Sequence, residues 1–96
     1  MQITLKKFGT TLTSRQLGKE AFAAFQPVLD DVKEGEQIEI DFDGVDTFSP
    51  SWGDEFLTPL MEKYPGKVVL IPSENLSVKL TLELLESTTG EKFRYK

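Results

Sequence analysis

Ninety-six residues give room for one small domain, whose modest core buries roughly 60–65% of the surface the unfolded chain exposes. With 39% hydrophobic and 28% charged residues the balance is globular, neither disordered nor fibrous. Eleven Lys and Arg against sixteen Asp and Glu leave a net charge of -5, which argues against the broad phosphate-binding surface that nucleic acid or an anionic membrane requires.

The chain has no Cys and no His. That removes disulfide scaffolds, thiol nucleophiles, thiolate or imidazole metal centres and every Ser-His-Asp triad. Met1 to Lys7 lack the apolar run of a signal peptide, and no stretch approaches the ~18 apolar residues of a membrane span, so a soluble, cytoplasmic protein is expected. Ile3 and Leu5 alternate with Thr4 and Lys6 up to Phe8-Gly9, which predicts a half-buried strand over residues 2 to 8. Thr13 and Ser14 are good helix caps, and Gln16 stands where a capping box places it. Leu17, Ala21, Ala24, Phe25, Leu29 and Val32 follow at helical spacing as the inward face of a first helix. Pro27 costs about 3 kcal/mol in a helix interior, which predicts a kink or two consecutive helices before Gly35.

Ile38, Ile40 and Phe42 alternate with Glu39, Asp41 and Asp43, the pattern of a strand with one apolar and one acidic face. The central strands of a doubly wound sheet are apolar on both faces, so a two-layer α/β arrangement fits better. Gly44 and Asp46 mark a turn, and Ser49-Pro50 opens a second helix running to about Tyr64. Phe56, Leu57, Leu60, Met61 and Tyr64 face inward, and Pro59 bends it. Pro65-Gly66 ends this helix, Lys67 to Ile71 reads as a buried strand, and Pro72 terminates it.

Residues 76–86 carry two periodicities. Leu76, Val78, Leu80, Leu82 and Leu84 alternate as a strand would, while the Ser73-Glu74-Asn75 cap cluster and Gly90 frame a helix. The preceding strand–helix order favours the helix. Phe93 and Tyr95, alternating with Lys92, Arg94 and Lys96, suggest a short edge strand blunted by positive charge, and a homodimer through it stays open.

If the first two strands are parallel and joined through the first helix, both following helices begin at one edge of the sheet. Ser14 and Arg15 would then face Ser49, Ser51, Trp52, Asp54 and Glu55, the densest polar set in the chain. Helix capping and the helix dipole account for much of it, at about 0.5–2 kcal/mol for each serine and 0.3–1 for each acid. Arg15 stands out, because a cation in a first turn opposes the dipole unless an anion lies close, and Asp54 or Glu55 is the obvious one. Trp52 divides evenly between core residue and exposed anchor. Asp41, Asp43 and Asp46 lack a calcium-loop pattern, no phosphate-cradling motif occurs, and neither metal nor cofactor is expected.

Leu12-Thr13-Ser14-Arg15, the strand Ile38 to Val45 and the segment Ser49-Pro50-Ser51-Trp52-Gly53-Asp54-Glu55-Phe56 together resemble the small bacterial STAS-like domains of unknown function, over residues 3 to about 85. The resemblance implies a mixed or parallel sheet with helices mainly on one face, in the order β-α-β-α-β-α. It extends to the anti-sigma-factor antagonists, which implies a regulatory serine at the start of the second helix and a kinase partner. By position Pro50 stands at that serine and Ser51 follows it, so Ser51 is the residue open to phosphorylation.

The expected function is therefore a non-enzymatic STAS-like regulatory or signalling domain. It would bind a protein partner, such as a histidine-kinase-like ATPase, through Ser14, Arg15, Ser49, Ser51, Trp52, Asp54 and Glu55, with Trp52 as the aromatic anchor. The alternative is a nucleotide or small-anion site at the same two helix starts. A hydrolase using Asp54 or Glu55 is disfavoured, since adjacent carboxylates on one helix point about 100° apart.

Overall fold

The computed structural model describes the whole chain, residues 1–96. Its elements are β1 (Gln2–Thr4), β2 (Thr11–Leu12), α1 (Arg15–Leu29), β3 (Ile38–Asp41), β4 (Thr47–Phe48), α2 (Pro50–Lys63), β5 (Val68–Leu70), α3 (Leu76–Thr89) and β6 (Arg94–Tyr95). Strands β1, β3, β5 and β6 form one sheet in that spatial order, with every pair parallel. Because spatial order follows chain order, right-handed crossovers place all three helices on one face. This is a two-layer α/β fold, as the alternation in β3 led one to expect.

On the helix side, Ile3, Ile38, Ile40, Val68 and Leu70 enter a core of 20 buried residues whose largest members are Trp52, Phe48 and Phe56. The other side carries Gln2, Thr4, Glu39 and Asp41, as the alternation required. There an ion pair of 3.3 Å from Lys96 to Glu39 spans β5, where Val69 is buried.

Three expectations need correction, and one feature is new. The first strand stops at Thr4, and Leu5–Phe8 form a 3-10 turn that buries Leu5. The turn swings the Phe8 ring against Phe25, Trp52 and Phe56, with centroids 5.8, 5.9 and 5.3 Å away. Pro27 neither kinks off a separate helix nor starts one. It lies in the last turn of α1, where only the carbonyl of exposed Ala23 loses its partner. Leu17, 60% exposed, and Ala24 face solvent rather than the core. Finally, β2 and β4 form a second, two-stranded parallel sheet that was not foreseen.

Residues 76–86 are helical, and burial explains their double pattern. Val78, Thr81, Leu82 and Leu85 point inward while Leu76, Leu80 and Leu84 stand out in solvent. Asn75 caps α3 by accepting from Val78 N–H at 3.1 Å, and its amide donates to the carbonyls of Val45 and Asp46. The side of β4 away from β2 is closed by α3 hydroxyls. Phe48 N–H donates to Ser77 Oγ at 2.8 Å, and its carbonyl accepts from Ser77 Oγ at 3.0 Å and Thr81 Oγ1 at 2.6 Å.

Two glycines set the helix spacing. A Cβ on Gly18 of α1 would lie 2.7 Å from the Trp52 carbonyl oxygen, so the helices cross backbone to backbone there. A Cβ on Gly53 would meet Leu85 at 2.9 Å and Phe48 at 3.0 Å, so α2 packs against α3 and β4 on its other side.

Candidate functional site

The small sheet builds the site. Parallel pairing of Thr11 with Thr47 and Leu12 with Phe48 brings two chain segments side by side just before each enters a helix, and Ser49 N–H donates to the Leu12 carbonyl at 2.9 Å. The starts of α1 and α2 are therefore neighbours. Ser14 caps α1 by accepting from Leu17 N–H at 3.2 Å. Ser49 caps α2 by accepting from Trp52 N–H at 3.3 Å, and its hydroxyl donates to the Thr13 carbonyl at 3.0 Å, tying the two starts together. Both serines thus have an architectural role.

Arg15 crosses the junction. Its Nη1 lies 3.2 Å from Asp54 Oδ2 and 3.7 Å from Glu55 Oε1, and Asp54 Oδ1 accepts from Thr58 Oγ1 at 3.0 Å. One guanidinium between two carboxylates leaves the cluster with one excess negative charge. The side chains of Arg15, Asp54 and Glu55 are 56%, 40% and 30% exposed. Ion pairs this open add little to stability, about 0–1 kcal/mol, so the cluster is available for recognition. A shallow depression of about 330 Å³ opens beside it, bounded by Arg15, Pro50 and Asp54 on one side and Leu84 and Thr88 on the other.

Trp52 must be reassigned. Its indole is 1% exposed, stacked on Phe56 at 5.0 Å and edge-on to Phe48 at 6.0 Å. It is a core residue and cannot reach a partner. The spacing Trp52, Phe56, Leu60 carried that signal, since i, i+4 and i+8 share one helix face. Ser51, in the first turn of α2, is half-buried, and Asp41 is engaged by Asp43 N–H and the Gln2 amide at 3.0 and 3.1 Å. The anion alternative loses ground here. Each cap already takes one first-turn amide and Arg15 is matched by two acids, so a phosphate would have to displace protein partners.

Sequence reasoning overlooked Gly18, which permits the α1–α2 crossing beneath the site, and the Ser77–Thr81 pair that braces β4. The only sequence signal for the latter was two hydroxyls four residues apart among leucines. A family model described as a STAS-like domain of unknown function (DUF4325) matches residues 25–87. The match includes Ser49 to Glu55 and begins after Ser14 and Arg15. Comparison with curated proteins and with solved structures gave no significant match.

Proposed function

The chain belongs to the STAS-like domain family, and we propose that it is a cytoplasmic signalling domain that binds a protein partner at the ledge between the starts of α1 and α2. Membership supports a regulatory, non-enzymatic domain. The observation that carries the partner-binding reading is the exposed Arg15–Asp54–Glu55 cluster, held on two rigid helices by the β2–β4 pairing.

Arg15 and the two acids supply directional charged contacts, Ser14 and Ser51 add hydroxyls at the rim, and Pro50 gives the apolar floor that Trp52 does not. A phosphate on Ser51 would carry about −1.5 to −2 charge one helical turn from Asp54 and Glu55 and be repelled by them. Recognition is therefore assigned to the ionic cluster and not to a phosphoserine. The family resemblance supports a histidine-kinase-like ATPase as the partner class.

Affinity capture with wild type and Arg15→Glu, followed by calorimetry on the purified partner, tests this. Reversing Arg15 sets three acids together and is expected to weaken binding by about tenfold or more. Equal affinity for the two proteins would remove the ledge as the binding surface.

A further inference from the structure

The outer face of α3 is self-complementary, and we propose that it docks a second copy of this chain as an antiparallel α3–α3 pair. Leu76, Leu80 and Leu84 are 68%, 56% and 47% exposed and lie four residues apart. Such residues form one stripe along a helix. The stripe is symmetric about Leu80: a twofold axis there sets Leu80 against Leu80 of the second copy, and Leu76 against Leu84.

The flanking charges select the orientation. Lys79 and Glu83 lie on the same flank, with the Lys79 side chain 49% exposed and its only ion pair, 3.4 Å, made to the almost fully exposed Glu74. In the antiparallel pair, Lys79 and Glu83 of the second copy sit about 3 Å apart along the axis, from the 1.5 Å rise per residue. Two opposite-charge contacts result. A parallel pair would carry the two Lys79–Glu83 flanks to opposite sides of the seam, so only the antiparallel pair forms these contacts.

The three leucines offer roughly 300 Å² per copy, about half of what the smallest stable interfaces bury in total when both copies are counted, so the dimer is a weak one. It does not rest on partner binding at Arg15, although Leu84 also borders the depression beside that cluster. Its test is sedimentation of the full chain at concentrations up to about 1 mM, as so small an interface requires.

Wild type is expected to dimerise reversibly and Leu80→Glu to stay monomeric. Lys79→Glu and Glu83→Lys should each weaken the dimer about tenfold, and the double variant should restore it. Since the chain has no cysteine, Leu80→Cys should be cross-linked into dimers by a short bis-maleimide, whereas Leu17→Cys, on exposed α1, should not. A monomeric wild type, a dimer indifferent to Leu80→Glu, a double variant no better than the singles, or equal cross-linking at both cysteines would each overturn the proposal. The first of these would leave the stripe to some other protein.

Discussion

Replacing Gly18 by alanine probes the contact that sets the two helix starts against each other. In a free helix alanine is favoured over glycine by about 1 kcal/mol. Here the new methyl would lie 2.7 Å from the Trp52 carbonyl oxygen and 3.0 Å from its Cα. Both are backbone atoms and cannot rotate away, so the strain falls at or above the upper part of the usual overpacking range of about 1–3 kcal/mol. The net expectation is a loss of about 1–2 kcal/mol, or a fall in melting temperature of about 4–8 °C for each kcal/mol in a chain of this size.

Gly53→Ala is the internal comparison. Its nearest obstacles, a Leu85 methyl at 2.9 Å and the Phe48 ring at 3.0 Å, are side-chain atoms that can shift where backbone cannot, so the loss should be smaller. Urea unfolding followed by the fluorescence of Trp52, the single tryptophan, measures both variants. Arg15 lies one turn before Gly18, so α1 pushed off α2 also draws the guanidinium from Asp54. If Gly18→Ala stabilises the protein by the helix-propensity gain, the backbone crossing does not exist and the site geometry fails with it.

Arg15→Ala should change unfolding stability by less than about 1 kcal/mol, because the ion pairs it removes are open to solvent; a larger loss in urea titration would make the cluster structural. Thr81→Val should cost about 1 kcal/mol, since the buried Phe48 carbonyl keeps its bond from Ser77, and adding Ser77→Ala should cost about 1–3 kcal/mol more by stranding the Phe48 amide and carbonyl. Burial, then Glu86 and Glu83, raise the Tyr95 phenol above its ordinary pKa of 10.0. The neutral form is the one favoured on folding, so this contribution is whole below that value and is lost as pH rises through the folded pKa. Thermal unfolding of Tyr95→Phe above pH 10 should show less alkaline destabilisation than wild type, and parallel curves would contradict the assignment.

The helix starts were legible because capping is local chemistry: Ser49-Pro50 caps as read, while of Thr13 and Ser14 it is Ser14 that caps, which leaves Gln16 out of a capping box, and of the Ser73-Glu74-Asn75 cluster it is Asn75. The parallel core strands were legible for the same kind of reason, with Ile38-Glu39-Ile40-Asp41 showing a clean period of two. By contrast, β2 and β4 have two residues each, too few to show any period, and their pairing joins positions 36 residues apart. The device that assembles the site was thus invisible although its products, two neighbouring caps, were anticipated from topology.

Residues 76–86 were ambiguous because leucine occupies both faces of α3, so apolarity alone could not separate the core-facing Val78, Leu82 and Leu85 from the exposed Leu76, Leu80 and Leu84. Trp52 was undecided for a different reason. Its place at a helix start suggested exposure, although Phe56 and Leu60, already read as inward-facing, share its helix face and point it into the core.

Hydrogen–deuterium exchange of the domain alone and saturated with its captured partner tests the ledge most directly. Amides in a helix first turn lack intrahelical acceptors, so Arg15, Gln16 and Ser51 should exchange quickly in the free protein. Partner binding is predicted to slow exchange at residues 14–17 and 51–55 while the open sheet face at Gln2–Thr4 and Ile38–Asp41 stays as it was. Slowed exchange on that sheet face, with the two helix starts unaffected, would contradict the account.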